Sequence, residues 1–379
     1  MPISGKLASL GNSAGRPRIL VIMLRRIGDV LLTTPLIASL RARWPQSRID
    51  ALVFRGSDGI LAGNPDLSSI IAIPEKASPL DTLRLAARLW RAYDLAISTQ
   101  TGDRPTAFAW IAGRDRIGLV RPDDKLGWLK HRLLHGQVAA DLGVHRIVEG
   151  GRLLEAAGVS LVPNLVPPRG DVPPGTIPAQ RYAVLHPNPK FAYKRWNAEG
   201  WRKLAARLAG NGLAVLVTGG PDAAERAYLD GLWPAPSAVT RMDGKMDWPQ
   251  LAALMASASV YVGTDTSMTH LAAAAGCPTV ALYGPVDPRI MGPWPTGGLV
   301  AAPWQAAGTV QQRGHVWLVQ NPSACPFHTL PCEKLGCDGH LDSRAQCLDE
   351  LTAEQVWLAV EQALAGQHPP AAAPGTRPA

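Results

Sequence analysis

The chain has no run of about 18 apolar residues, so no segment reads as a membrane-spanning helix. Residues 1–17, MPISGKLASLGNSAGRP, lack the apolar core of a secretory signal. They read as a loose N-terminal arm, and a cytoplasmic protein is expected. Cysteine is scarce. There are five in 379 residues, and four of them fall within 325–347. An odd number gathered in one place argues against a secreted disulfide framework. No GxxxxGK[ST] pattern is present, and no GxGxxG follows the first strand. P-loop ATP hydrolysis and simple dinucleotide dehydrogenase chemistry are therefore disfavoured. Acidic residues are in deficit, with 30 Asp and Glu against 38 Lys and Arg. The imbalance is confined to one half: residues 1–178 hold 23 basic and 15 acidic residues, and residues 179–379 hold 15 of each. The first half is thus the better candidate to meet nucleic acid, a phosphorylated substrate or an anionic membrane surface.

What is present is globular. Hydrophobic residues make up 46% of the chain, and 379 residues suit two domains. Arg18–Leu24 is a continuous apolar run, as expected of a central parallel strand. Val30–Trp44 reads as a helix, Ile49–Phe54 as a strand, Asp81–Tyr93 as a helix and Asp94–Thr99 as a strand. Arg116–Val120 reads as a further short strand, and His145–Gly158 as a helix. Strand–helix alternation predicts an α/β half with a mostly parallel sheet. A Pro-rich stretch over 163–180 is the interdomain linker. The α/β pattern restarts at Arg181–His186 and continues through a helix at Ala198–Gly210, a strand at Leu213–Thr218 and a helix at Asp222–Leu232. The expected division is an arm over 1–17, a first domain over 18–162 and the linker over 163–180. A second domain follows over 181–350, then a C-terminal helix over 351–366 and a disordered Pro/Ala tail over 367–379.

Residues 259–284, SVYVGTDTSMTHLAAAAGCPTVALYG, read as strand, glycine turn, helix and strand. Gly263 is expected to make the turn. Asp265, Thr266 and Ser267 are all favoured helix-capping types. The start of such a helix offers unpaired N–H groups and partial positive charge to a phosphate. Two other loops are expected at the same sheet edge, His186–Trp196 with Lys190, Lys194 and Arg195, and Gly219–Asp222. Lysine beside a helix start makes a diphosphate cradle. In the first half, Gly28-Asp29 follows the first strand. A carboxylate there could take a proton from a nucleophile, or could simply cap the next helix. Arg121–Gly136 mixes basic residues with Trp128 and leucines. It reads either as an ordinary surface helix or as a segment lying on an anionic membrane.

These residues together resemble glycosyltransferase family 9, the bacterial lipopolysaccharide heptosyltransferases. The resemblance is carried by RRIGDVLLTTPLIASLRARWP, HPNPKFAYKRWN, VTGGPDAAER and GTDTSMTHLAAAAGCPTVALYGPVDP. Residues Gly118–Val159 look most like the branch that adds the third heptose of the inner core. The resemblance implies a GT-B fold: two Rossmann-like α/β domains with mostly parallel sheets facing a central cleft. It implies inverting transfer of a heptose from ADP-heptose to a heptose of a phosphorylated lipopolysaccharide core. It also implies peripheral contact with the cytoplasmic face of the inner membrane, no nucleic-acid partner and no cofactor for catalysis.

By the same resemblance, Asp29 is the catalytic base and Lys194 meets the donor phosphates. Donor contacts fall at Asn188, Lys194, Gly219, Gly220, Asp222, Gly263, Asp265, Thr266, Ser267 and His270. Asp222 stands near the position of the family's nucleoside-binding glutamate. Acceptor contacts are expected at Arg25, Arg26, Arg121, Lys125 and Lys130. Two other readings remain open: a heptosyltransferase acting on an adhesin protein, and a non-catalytic nucleotide-sugar-binding protein on the same fold. The spacing of Cys325, Cys332, Cys337 and Cys347, C-x6-C-x4-C-x9-C with His328 and His340 between, suits a structural zinc or iron, free thiols or a disulfide.

Overall fold

The structure is a computed structural model and describes residues 16–297, 303–332 and 334–366. The expected arm lies outside the described residues except for Arg16 and Pro17, and the tail over 367–379 lies wholly outside them. The first half runs β1 (Arg18–Met23), α1 (Ile27–Leu31), α2 (Thr34–Arg43), β2 (Arg48–Phe54), β3 (Ser69–Ile73), α3 (Pro79–Leu89), β4 (Tyr93–Ser98), α4 (Asp103–Ala112), β5 (Gly113–Val120), α5 (Gly127–Leu133), β6 (Gly136–Ala139) and α6 (Arg146–Ala156). Its six strands pair in the order β3-β2-β1-β4-β5-β6, all parallel.

The unbroken apolar run of β1 is explained by two-sided burial. Ile19 and Val21 face a core with Leu36, Leu40 and Leu153 from α2 and α6. Leu20 and Ile22 face the opposite core with Leu89 and Phe108 from α3 and α4. Strand order reverses between β1 and β4, and a crevice opens beyond their carboxyl ends at such a reversal.

The second half runs β7 (Tyr182–His186), α7 (Ala198–Gly210), β8 (Ala214–Val217), α8 (Ala223–Leu232), β9 (Val239–Arg241), α9 (Trp248–Ser257), β10 (Val260–Thr264), α10 (Ser267–Ala274), β11 (Thr279–Leu282), α11 (Pro288–Met291), β12 (Val310–Arg313), β13 (Val316–Val319), α12 (Gln346–Asp349) and α13 (Ala353–Ala365). The sheet order is β12-β13-β11-β10-β7-β8-β9, parallel except for the β12–β13 hairpin. Its reversal falls between β7 and β10. Two mostly parallel α/β sheets, each with its own switch point, make the GT-B fold.

Residues 157–181 carry no helix or strand. This stretch does not hang free. Val162 N–H donates to Ser39 Oγ at 2.7 Å, Val166 N–H to Thr34 Oγ1 at 3.0 Å, and Arg169 N–H to the Ala62 carbonyl at 2.8 Å. One buried cluster then joins the two halves. Met23, Val30, Leu31 and Ile147 from the first pack with Met268, Leu271 and Trp294 from the second.

The helix expected over Val30–Trp44 begins earlier and breaks in two, at Leu32 and Thr33. The turn expected at Gly263 is not there either. Gly263 is the fourth residue of β10, and the chain turns at Asp265 and Thr266 instead. Its lack of a side chain serves close packing. A Cβ would stand 2.1 Å from the Tyr261 hydroxyl, which reaches past it to Thr269 Oγ1 at 3.0 Å.

The loop after β7 is anchored at its far end. Trp196 is buried, donates Nε1–H to the Leu351 carbonyl at 2.7 Å, and meets Trp201 edge-on at 4.9 Å. Gly200 makes room for that ring, since a Cβ there would lie 2.3 Å from it. Gly200→Ala must displace Trp196, so it is expected to lower stability by about 1–3 kcal/mol in denaturant unfolding, the usual cost of overpacking.

Candidate active site

Asp29 is the third residue of α1, whose N-cap is Arg26 and which has no side-chain cap. Its carboxylate makes no hydrogen bond among the described residues, so the capping alternative fails. The group is poised between burial and charge. Burial raises its pKa above the usual carboxylate value, against the pull of Arg25, Arg146 and Arg26. A smaller upward push comes from Asp265, across the boundary between the halves.

That boundary is tight. α1 packs on α10, and a Cβ on Gly28 would touch the His270 ring at 3.4 Å and the Ser267 Cα at 3.7 Å. Asp265, just before α10, does not cap it. The N-cap is Thr266, again without a side-chain bond, so side chains leave the first-turn N–H groups free for an anion. The Asp265 carboxylate is instead ion-paired to Lys194 from the loop after β7, and accepts a hydrogen bond from the Tyr283 hydroxyl at 3.3 Å. The Lys194–Asp265 pair therefore spans the switch point of the second sheet. Burial works against the Lys194 ammonium, but the charge and hydrogen bond of Asp265 hold its pKa above the ordinary value. Arg26 stands over the Phe191 ring at 4.9 Å, so a first-half cation reaches this same loop.

Around the pair lie buried polar atoms without a hydrogen-bond partner: Asn188 Oδ1, Thr264 Oγ1 and His270 Nδ1. Burial pushes the His270 imidazole down to about 4, so it is neutral at pH 7. Unpaired buried polar atoms are costly, and a polar ligand would satisfy them.

Of the remaining expected residues, Gly219 and Gly220 follow β8 at the same edge. Asp222 is used as the N-cap of α8, accepting from the Ala224 and Glu225 N–H groups. A residue not singled out from the sequence, Glu225, turns back instead. Its Oε2 accepts the Gly220 N–H at 2.6 Å. An acid one turn inside a helix that starts with Asp was the only signal for it. Arg195 stacks over Tyr228 at 4.4 Å.

On the first-half side, a cavity beside Asp29 is lined by Arg25, Thr33, Thr101, Leu142, Arg146 and Glu149, among others. Arg146 was not expected. Buried Glu149 holds its guanidinium at 2.7 Å, and Glu149 also accepts the Asp141 N–H at 3.2 Å. Lys130, expected as an acceptor contact, is committed elsewhere. Its ammonium is buried against Asp103 at 2.7 Å and against Asp124. The reason is position: it lies on the inner side of α5, facing the start of α4. Arg121 is exposed and forks onto Asp123 at 2.8 Å, and Lys125 is exposed. None of these three lines the cavity.

The structural zinc or iron expected at the cysteine cluster is not confirmed. No group of three or more His, Cys, Asp or Glu side chains among the described residues is arranged to hold an ion. All four are free thiols, and Cys325 and Cys347 are buried in the core under α13.

Residues 167–301 match the family profile Glycosyltransferase family 9 (heptosyltransferase). Over that stretch the chain resembles glycosyltransferase family 9. Lipopolysaccharide heptosyltransferase 3 of Escherichia coli K12 is 26% identical over 291 residues, covering 72% of this chain and 83% of that protein. The glycosyl transferase family 9 structure from Veillonella parvula superposes with a TM-score of 0.71 at 20% identity, over 93% of this chain and 98% of that one. E. coli heptosyltransferase WaaC with ADP gives 0.67 at 20% identity, over 91% and 99%. The likeness to these heptosyltransferases supports a glycosyltransferase.

Lys130→Met should therefore act on stability. It removes the buried ammonium that ties α5 to Asp103, Asp124 and the Thr101 carbonyl, and is expected to lower the midpoint of denaturant unfolding. Acceptor KM should stay near that of the unaltered protein.

Proposed function

We propose that this glycosyltransferase moves a heptose, with inversion, from ADP-L-glycero-D-manno-heptose to a heptose of the lipopolysaccharide inner core. The observation that carries the reading is a single one. An uncapped, half-buried carboxylate, Asp29, faces the Lys194–Asp265 pair and the free start of α10 across the α1–α10 contact. The relatives' names supply the donor and acceptor class.

In this reading Asp29 takes the proton of an acceptor hydroxyl. The oxygen attacks the anomeric carbon as the bond from that carbon to the diphosphate oxygen breaks, and ADP departs from the opposite face. The transition state has oxocarbenium character. The Lys194 ammonium, shared between Asp265 and the diphosphate, and the α10 N–H groups stabilise the charge that grows on ADP. Asn188, Thr264 and His270 supply polar contacts to the donor, with His270 as a neutral ring. Arg25 and Arg146 hold the acceptor's anionic substituents beside Asp29. The reaction takes place at the cytoplasmic face of the inner membrane, where the basic first half meets a phosphorylated glycolipid. The uncommitted Asp29 carboxylate speaks against a non-catalytic sugar-nucleotide binder.

Asp29→Asn should still bind ADP but transfer at least roughly 100-fold more slowly, the lower range for a lost general base. An equally fast variant would leave the mechanism without its base. The base must be ionised, and its pKa is raised, so kcat/KM should fall on the acid side at a pH above the usual carboxylate range. Arg25 lowers that pKa. Arg25→Gln should accordingly move the acid limb to higher pH in a pH–rate profile.

A further inference from the structure

The first sheet carries a second feature at its carboxyl edge, on the face away from α2 and α6. α3, α4 and α5 lie there side by side, α4 touching both neighbours. Their starting ends are tied into one rim. Arg104 of α4 donates to the Pro74 and Glu75 carbonyls ahead of α3, at 3.2 and 2.7 Å. Lys130 of α5 reaches back to Asp103 and to the Thr101 carbonyl. This rim exposes large apolar side chains: Leu80 at 53%, Leu83 at 66%, Leu126 at 40% and Trp128 at 63%. Leu142, 57% exposed, stands on the cavity wall. Single exposed leucines need no explanation, but a set gathered on one rim with a tryptophan does.

The charge around the rim is basic. Segments 74–91, 103–104 and 121–133 hold nine Lys and Arg against five Asp and Glu. Asp81, Asp103, Asp123 and Asp124 are each paired to a neighbouring cation of the rim, while Lys76, Lys125 and Arg132 are exposed. Apolar side chains among long basic ones suit the headgroup layer of an anionic bilayer, where tryptophan and arginine tips stay wet. The rim is one loop away from the acceptor cavity. Thr101 lines that cavity and its carbonyl takes the Lys130 ammonium.

We propose that the starting ends of α3 and α5, with Leu80, Leu83, Leu126 and Trp128 as anchors and Lys76, Arg84, Lys125 and Arg132 as the basic girdle, rest on an anionic lipid surface. The mouth of the Asp29 cavity then sits at headgroup level, where a membrane-held acceptor can enter without leaving the bilayer. The proposal rests on the heptosyltransferase reading for the acceptor but not for the lipid contact, and the two are tested apart.

The full chain is sedimented with vesicles of phosphatidylcholine containing phosphatidylglycerol, and with vesicles of phosphatidylcholine alone. Binding to the first and not the second is expected. The Leu83→Glu, Trp128→Glu double variant should lose roughly tenfold or more of that binding. It should lose transfer to vesicle-held acceptor in step, and keep transfer to a short water-soluble core acceptor. A second pair, Arg84→Glu with Arg132→Glu, should lose binding in low salt without touching the apolar anchors. ADP binding and unfolding midpoint serve as fold controls for both. Undiminished vesicle binding by both double variants overturns the proposal. So does a dimer that the Leu83→Glu, Trp128→Glu chain dissociates while no vesicle binding is seen, which would make the rim a subunit contact. Vesicle binding that follows the variants, with no transfer by the unaltered protein to either acceptor, upholds the lipid surface and sinks the heptosyltransferase reading instead.

Discussion

The packing of α1 against α10 sets the geometry of everything else at the site. Each helix begins at the carboxyl end of a central strand, and each has an aspartate at or just before its first turn, Asp29 and Asp265. Apolar burial of Val30 and Leu31 against Met268 and Leu271 presses the two helix starts together. Such burial has no direction of its own. Direction comes from His145, a fully buried ring that donates Nε2–H to the Gly292 carbonyl at 2.9 Å and packs on Trp294 at 4.6 Å. Its Nδ1 accepts the Ile147 N–H at 3.2 Å, and burial holds the ring neutral with a pKa of about 3. One histidine of the first half is thus hydrogen-bonded directly to the second.

This arrangement gives two aspartates different surroundings. Asp29 has lost water without gaining a hydrogen bond, which favours a proton acceptor. Asp265 has lost water but gained Lys194 and Tyr283, which favours a fixed anion that positions an ammonium. Environments that separate two like groups in this way separate their roles as well. The buried, neutral His270 ring beside Asp265 and Lys194 adds no charge to the pair.

The basic excess of the first half is also divided by structure. Arg25 and Arg146 turn into the cavity, Arg26 crosses to Phe191, Lys130 is consumed in holding α5 to α4, and Lys125 and Arg132 face outward. A net charge read from composition treats these cations alike. Only their partners tell which can meet a ligand, which a surface and which neither.

Central strands were legible in the sequence because burial on both faces demands unbroken apolar runs, as in RILVIM and YAVLH. Edge strands were not. β3 alternates exposed and buried residues, and β12, VQQR, is mostly polar, since an edge is half solvated. Asp29, Lys194 and Asp265 could be named from motifs because each stands at a fixed offset from a strand end. The sequence by itself thus determined the α/β alternation, the family resemblance and the loops that meet at the candidate site, all of which depend on local order along the chain. Tertiary structure alone decided that Asp222 caps a helix while Glu225 turns to Gly220. It also decided that Lys130 is buried, that Arg146 with its Glu149 brace faces Asp29, and that four clustered cysteines form no ion site among the described residues. The physical reason is common to them. A polar side chain's role follows from which partners and how much water surround it, and those are set by segments distant in sequence.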